Sequence, residues 1–160
     1  MKYLKILGLV LFLGLVYLGG DLIANNAAFI NTPGPLARAH VYFTLNRAWT
    51  TGGYPLAEVS PQIFFGDPDK LRANITHSIG SFSGWSLVKA TPDFLVVRIA
   101  PSFWHAASRL EVRLSPVRGG LRMDVTATSQ SGLPDLGADR NYILNLFHEI
   151  GDENAIHPPV

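Results

Sequence analysis

Ser129, Asp135 and Asp139 fall in one stretch, SQSGLPDLGADRNYI, which runs from Ser129 to Ile143. A serine near carboxylates becomes a nucleophile only when a base such as histidine takes its proton. The histidines to consider are His77, His105 and His148, and they sit in three separate elements. The stretch also lacks the G-x-S-x-G pattern that places a serine on a strand-to-helix elbow. A structural use is available for each notable residue. Gly132 and Gly137 are free to take positive φ. Pro134 fixes a turn, Asp135 suits bonds to free backbone N–H groups, and Asp139 suits a helix start. Ser129 is suited to similar local bonding. The stretch therefore reads as a strand-to-helix corner, with Ser129 and Asp135 kept as candidate binding residues.

Two other groupings carry polar or aromatic chemistry. In PSFWHAAS, Phe103, Trp104 and His105 lie between two strand patterns. They either cap the open end of a core or form a binding lip for a partner or a lipid. Arg98, Arg109, Arg113 and Arg122 share one side of the strand patterns. Glu111 and Asp124 are there to pair with them, and the alternative is an anion-binding face that includes Arg109. None of the histidines pairs with another at H-x-x-x-H spacing, so no metal or other cofactor is expected. The chain has no cysteine, which removes disulfides, thiolate metal sites and cysteine nucleophiles. A net charge of +1 gives no electrostatic case for nucleic acid.

The N-terminus sets where these groups work. Lys2 and Lys5 precede an uncharged run from Ile6 to Gly20, and Asp21 follows it. Residues 3–24 are long enough to cross a bilayer if the charges at the ends snorkel. Asn25 and Asn26 interrupt the small-residue pattern of a cleavage site, so residues 1–30 read as an uncleaved anchor, with a cleaved signal as the alternative. Lysines before the apolar run put the N-terminus in the cytoplasm. In a bacterium the domain is then periplasmic, held at the inner membrane.

The elements that position the candidate residues follow from periodicity. Residues 31–61 hold TPGP and TTGGYP and read as a linker, in which VYFTLN alternates weakly like a short strand. Residues 62–151 read as the folded domain. QIFFG is a short strand. Asp67 and Pro68 mark a helix start, Leu71, Ile75, Ile79 and Phe82 form its apolar stripe, and Gly84 stops it. WSLVKA, FLVVRIA, RLEVRLS and LRMDVTAT are strands, the last two alternating with period two as a hairpin. Pairing Arg113 with Arg122 and Glu111 with Asp124 would set like charges opposite. A register shifted by two residues avoids this, either with Arg109 opposite Asp124 and Glu111 opposite Arg122 or, shifted the other way, with Arg113 opposite Asp124. The last helix is ADRNYILNLFHEI, closed by Gly151, and residues 152–160 form a tail. The predicted fold is α+β, an antiparallel sheet of about five strands with two helices on one face, preceded by one transmembrane helix. A helix-grip arrangement is a variant of the same pattern.

The corner also resembles the C-terminal signature of a bacterial and plastid family known as domain of unknown function number 1499. That signature runs from a strand ending in serines into S-R-x-G-x-x-D-L-G-x-N and then a helix. Ser129, Gly132, Asp135, Leu136, Gly137 and Ile143 match it. FFGDPDKLRANITHSIGSFSGWSLV resembles the opening of the same family, and the likeness covers about Gln62 to Ile150. Gln130 and Asp139 depart from the family's arginine and asparagine, and FWHAASRLEV lacks its acidic pair. The resemblance implies a fold of this class and no established reaction.

Three functions are open. The first is an exported, membrane-anchored, non-catalytic domain that binds a membrane-protein partner in an envelope assembly. The second is a lipid or small-ligand module with a cavity lined by Trp85, Phe94 and Phe147. The third is a hydrolase using Ser129 and Asp135 with a histidine.

Overall fold

The computed structural model describes residues 2–101 and 106–156. Trp104 and His105 lie outside the described residues. The chain opens with helix α1 (Lys2–Ala24), whose most apolar 18-residue stretch has a mean hydropathy of 2.2, long and apolar enough to cross a membrane. Helix α2 (Pro35–Thr44) and strand β1 (Arg47–Trp49) follow. Then come β2 (Gln62–Phe65), α3 (Pro68–Ser81), β3 (Trp85–Ala90), β4 (Phe94–Ile99), β5 (Ser108–Val117), β6 (Gly120–Ser129) and α4 (Ala138–Ile156).

All the strands pair antiparallel in the order β1-β6-β5-β4-β3. The far edge of β6 is shared by two short strands. β1 lies along its C-terminal half, with Trp49 opposite Thr126, and β2 along its N-terminal half, with Phe65 opposite Gly120. The hairpin register sets Arg113 opposite Asp124 and Glu111 opposite Thr126. It thus avoids both like-charge pairs. Asp124 is held further by a two-pronged contact from Arg122, both bonds at 3.0 Å.

One face of the sheet is dry. Leu95, Val97, Leu110, Val112, Met123 and Val125 meet Ile75 and Ile79 of α3 and Ile143, Leu146 and Ile150 of α4, all buried. Both helices therefore cover the same face, as the apolar stripes require. Asp67 starts α3 by accepting bonds from the amides of Asp69 and Lys70 through one carboxylate oxygen, at 2.9 and 3.0 Å. Trp85 stacks on Phe82 at 4.5 Å and meets Tyr142 edge-on, whereas Phe94 is opposite Arg113 on the other face. Trp85, Phe94 and Phe147 therefore line no shared cavity.

The structure departs from the expected elements in three places. Residues 31–61 are part of the domain, not a linker. They supply α2, β1, and the buried Ala48, Leu56 and Val59. VYFT ends α2 instead of forming a strand, because its alternation is shorter than one helical turn can contradict. The last helix runs past Gly151 to Ile156, since Gly151 stays out of the positive-φ region that would end it.

Two glycines separate packing from propensity. A Cβ on Gly120 would collide with the Phe64 carbonyl oxygen, while one on Gly151 would meet nothing within 4 Å. Gly120→Ala is expected to lower stability by about 1–3 kcal/mol and to speed amide exchange along β2. Gly151→Ala should raise stability by up to about 1 kcal/mol. Thermal melts and hydrogen exchange of the two variants check both signs.

Candidate functional site

Buried polar groups collect where α1, α2 and the Ser129–Asp139 loop meet. α1 ends in a Schellman-type cap. The Asn26 amide donates to the Ile23 carbonyl, the Ala27 amide donates to the Leu22 carbonyl, and Asn26 takes φ 51. Asparagine is among the few residues other than glycine that tolerate this conformation. Asn25 then turns its side-chain amide to the Leu136 carbonyl, at 3.1 Å. Leu22, Ala27 and Phe29 pack on a second small core of Val41, Tyr42 and Leu56, with Phe29 and Tyr42 edge to face at 5.2 Å.

The loop is shaped to receive these contacts. The Asp135 amide donates to the Leu45 carbonyl at the end of α2. One Asp135 oxygen accepts from the Gly137 amide at 3.0 Å and the other from the Asp139 amide at 2.8 Å, which caps the start of α4. Gly137 takes φ 88, and a Cβ there would lie 3.0 Å from the Tyr42 ring, so the close approach of α2 requires glycine. The Ser129 hydroxyl shares a hydrogen bond with that of Ser131 at 3.0 Å, and Ser131 in turn accepts from the Leu133 amide.

A charged clamp closes the other side. Arg38 of α2 grips Glu58 with two prongs, at 2.8 and 2.9 Å. Arg140 of α4 donates to the same carboxylate from Nε and Nη2, at 3.1 and 2.9 Å. Arg140 also reaches the Asn26 carbonyl at the end of α1, and Arg38 reaches the Thr32 carbonyl and the Tyr42 hydroxyl. The side chains of Arg38 and Arg140 are 1% and 5% exposed, Glu58 28%. Burial alone would raise the Glu58 carboxyl, but bonds from Arg38, from its own backbone amide and from Arg140 together outweigh it and hold it below its usual range.

Between clamp and sheet lies Asp139, fully buried, close to Ser108, Ser129 and Asp135 but with no well-formed hydrogen bond to either carboxyl oxygen among the described residues. Burial, then the negative charge of Asp135, pushes the Asp139 carboxyl up to about 8. The Ser108 hydroxyl and the Ser129 amide pull the other way, though that amide is already bonded to the Asn46 carbonyl. Burial thus favours the protonated form of Asp139, which is close in shape and charge to an asparagine.

Beside it a groove of about 510 Å³ runs between α1 and the loop. Tyr17, Leu18, Phe43 and Leu133 form its apolar rim, and Ser108, Ser129, Asp21 and Asp135 its polar end. The sequence candidates Ser129 and Asp135 therefore come together here. Arg109 does not join them. It lies on the open face of the sheet, opposite Arg98, bonded along its own strand to Glu111 at 2.8 Å. His77 lines a different groove, between α3 and the β3–β4 turn. The described residues hold no set of three histidine or acidic side chains placed for a metal. Sequence reasoning missed Asp21, Asn25, Arg38, Glu58, Ser108 and Arg140. Only the polar Asn25–Asn26 pair after an apolar helix signalled one of them.

No family model matches the chain, and no curated protein or solved structure matches it.

Two substitutions test the junction. Glu58→Gln leaves two buried guanidinium groups without their shared counter-ion, and should cost roughly 3 kcal/mol in chemical denaturation. Asp139 works through protons. Its folded pKa lies above its unfolded one, so its contribution is fully present below about pH 4 and is lost as pH rises toward 8. The loss is at most about 1.4 kcal/mol per pH unit. Asp139→Asn should match the natural chain near pH 4 and exceed its melting temperature increasingly up to pH 8. A pH series of thermal melts on both chains decides this, and a constant offset would refute it.

Proposed function

We propose that this protein is a membrane-anchored, non-catalytic domain that serves as a partner-binding or accessory subunit of a membrane or envelope assembly. One observation carries the reading. The end of α1 is built into the domain, through the Asn25 bond to Leu136, the Arg140 bond to Asn26 and the packing of Leu22 and Phe29 on Tyr42. A leader that is cut away would leave Leu136 and Arg140 short of partners and open the second core to water. α1 is therefore a lasting anchor. The lysines at its start favour a cytoplasmic N-terminus and a domain on the periplasmic side of a bacterial inner membrane. Membership of family 1499, suggested by the Ser129–Ile143 signature, belongs to the same proposal.

The absence of catalysis is supported by the bonding of the loop. Ser129 spends its hydroxyl on Ser131, and both Asp135 oxygens are occupied by backbone amides. A partner has apolar surface to meet: Ile63 and Phe65 are exposed on β2, at the edge of the sheet. The groove between α1 and the loop favours a second reading, a lipid or small-ligand module, because an apolar rim there leads to a hydroxyl-lined end.

Intact mass of the protein extracted from its own membranes should include residues 1–24. A mature form starting after Asn26 would remove the anchor from the reading. Extraction of the tagged chain in mild detergent should bring a membrane protein with it in fixed ratio. Recovery of the chain alone, with a copurified lipid or small molecule, would instead support the groove as the working site.

A further inference from the structure

The uncharged part of α1 is short for its task. Ile6 to Gly20 is fifteen residues, roughly 22 Å of helix against a hydrocarbon core of about 30 Å. The helix itself does continue to Ala24, but Asp21 in its last turn and Asn25 just past its end are buried against the domain, not offered to water. Whatever surrounds the last turns of α1 therefore also surrounds the part of the domain packed on them.

That part of the domain exposes large apolar side chains among a few polar ones, His40 and Thr44 on α2 and Gln130 and Ser131 on the loop. α2 carries one formal charge, Arg38, and buries it. Its outer face presents Leu36 and Phe43, one seven residues after the other, 88% and 43% exposed. Leu133 of the loop is 67% exposed and lines the same groove as Phe43 and Tyr17. The outer surface of α1 thus continues through Tyr17 and Leu18 onto Phe43 and Leu133, while the carboxyl groups of Asp21, which is buried, and Asp135, which is capped by backbone amides, lie at the polar end of the groove. Leu36 and Phe43 are the kind of side chain that enters the acyl boundary of a bilayer, and His40 and Thr44 beside them are suited to the headgroup layer. Short spans are accommodated by drawing flanking groups into that layer.

We propose that the outer face of α2, with Leu133, is embedded in the lipid interface, so that the domain sits on the bilayer and completes the span that α1 begins. The proposal rests on the reading of α1 as a membrane anchor. It differs from tethering, in which the domain would stand clear of the lipid. Here no free segment separates helix from domain, because Asn25, Asn26 and Ala27 are all held.

The chain contains no cysteine, so single labels are easily placed. Leu36→Cys, Phe43→Cys and Leu133→Cys change exposed side chains and leave the buried junction intact. Each full-length variant would carry a nitroxide and be reconstituted in phosphatidylcholine vesicles, with relaxation by oxygen and by a water-soluble nickel chelate compared. Leu11→Cys marks the centre of α1. Phe65→Cys, opposite Gly120, marks the end of β6 remote from Ser129, about 30 Å away along the strand. The expected result is lipid-type accessibility at positions 11, 36, 43 and 133, with nickel relaxation several-fold lower there than at 65. Lipid at 11 but water at 36, 43 and 133 would overturn the seating and leave the anchor standing. Water at 11 would overturn both. Equal lipid exposure at 65 and 133 would overturn it too, since the domain would then not be seated by this end.

Discussion

The Glu58 carboxylate ties together elements that lie far apart in the chain. It takes Arg38 from α2 on one side and Arg140 from α4 on the other. Arg140 passes the connection on to the end of α1 through the Asn26 carbonyl. An isolated buried guanidinium is far costlier than a paired one. The two arginines therefore hold Glu58 in place as firmly as it holds them. With Glu58 in position, Tyr42 is held by Arg38, Gly137 fits against the Tyr42 ring, and the Asp135 cap starts α4 in the right place.

This arrangement explains why two cores coexist in a small domain. The larger lies between the sheet and the helices α3 and α4 and is built by ordinary stripe-on-sheet burial. The smaller, around Tyr42, seals α1 and α2 to the rest. Asp139 sits where they adjoin, and burial favours its protonated form. Its amide serves the Asp135 cap, and its side chain fills a place with little polar partnership.

How much of this was legible in the sequence follows from the separation of the partners. The β5–β6 hairpin announced itself through strict alternation, and like-charge repulsion narrowed its register to two shifts, of which the structure takes the one with Arg113 opposite Asp124. Asp67-Pro68 marked a helix start, and Ile143, Leu146 and Ile150 marked the face of α4. β1 was unreadable, because three residues are too few for a period. α2 was unreadable for a better reason: it buries its arginine and exposes Leu36 and Phe43, against the pattern that periodicity assumes. Ser129 and Asp135 were named because they are neighbours in sequence. Glu58 and Arg140 stand 82 positions apart, and nothing local in either foretells the other.

The capped end of α1 has a mechanical meaning. Asn26 closes the helix and Asn25 fastens it to Leu136, so there is no swivel between helix and sheet. Turning α1 about its axis turns the whole sheet with it. Whatever grips one side of the helix therefore also decides which way the strand edges face. The molecule behaves as a key with its blade fixed to its bow, and the angular position of one is read directly from the other.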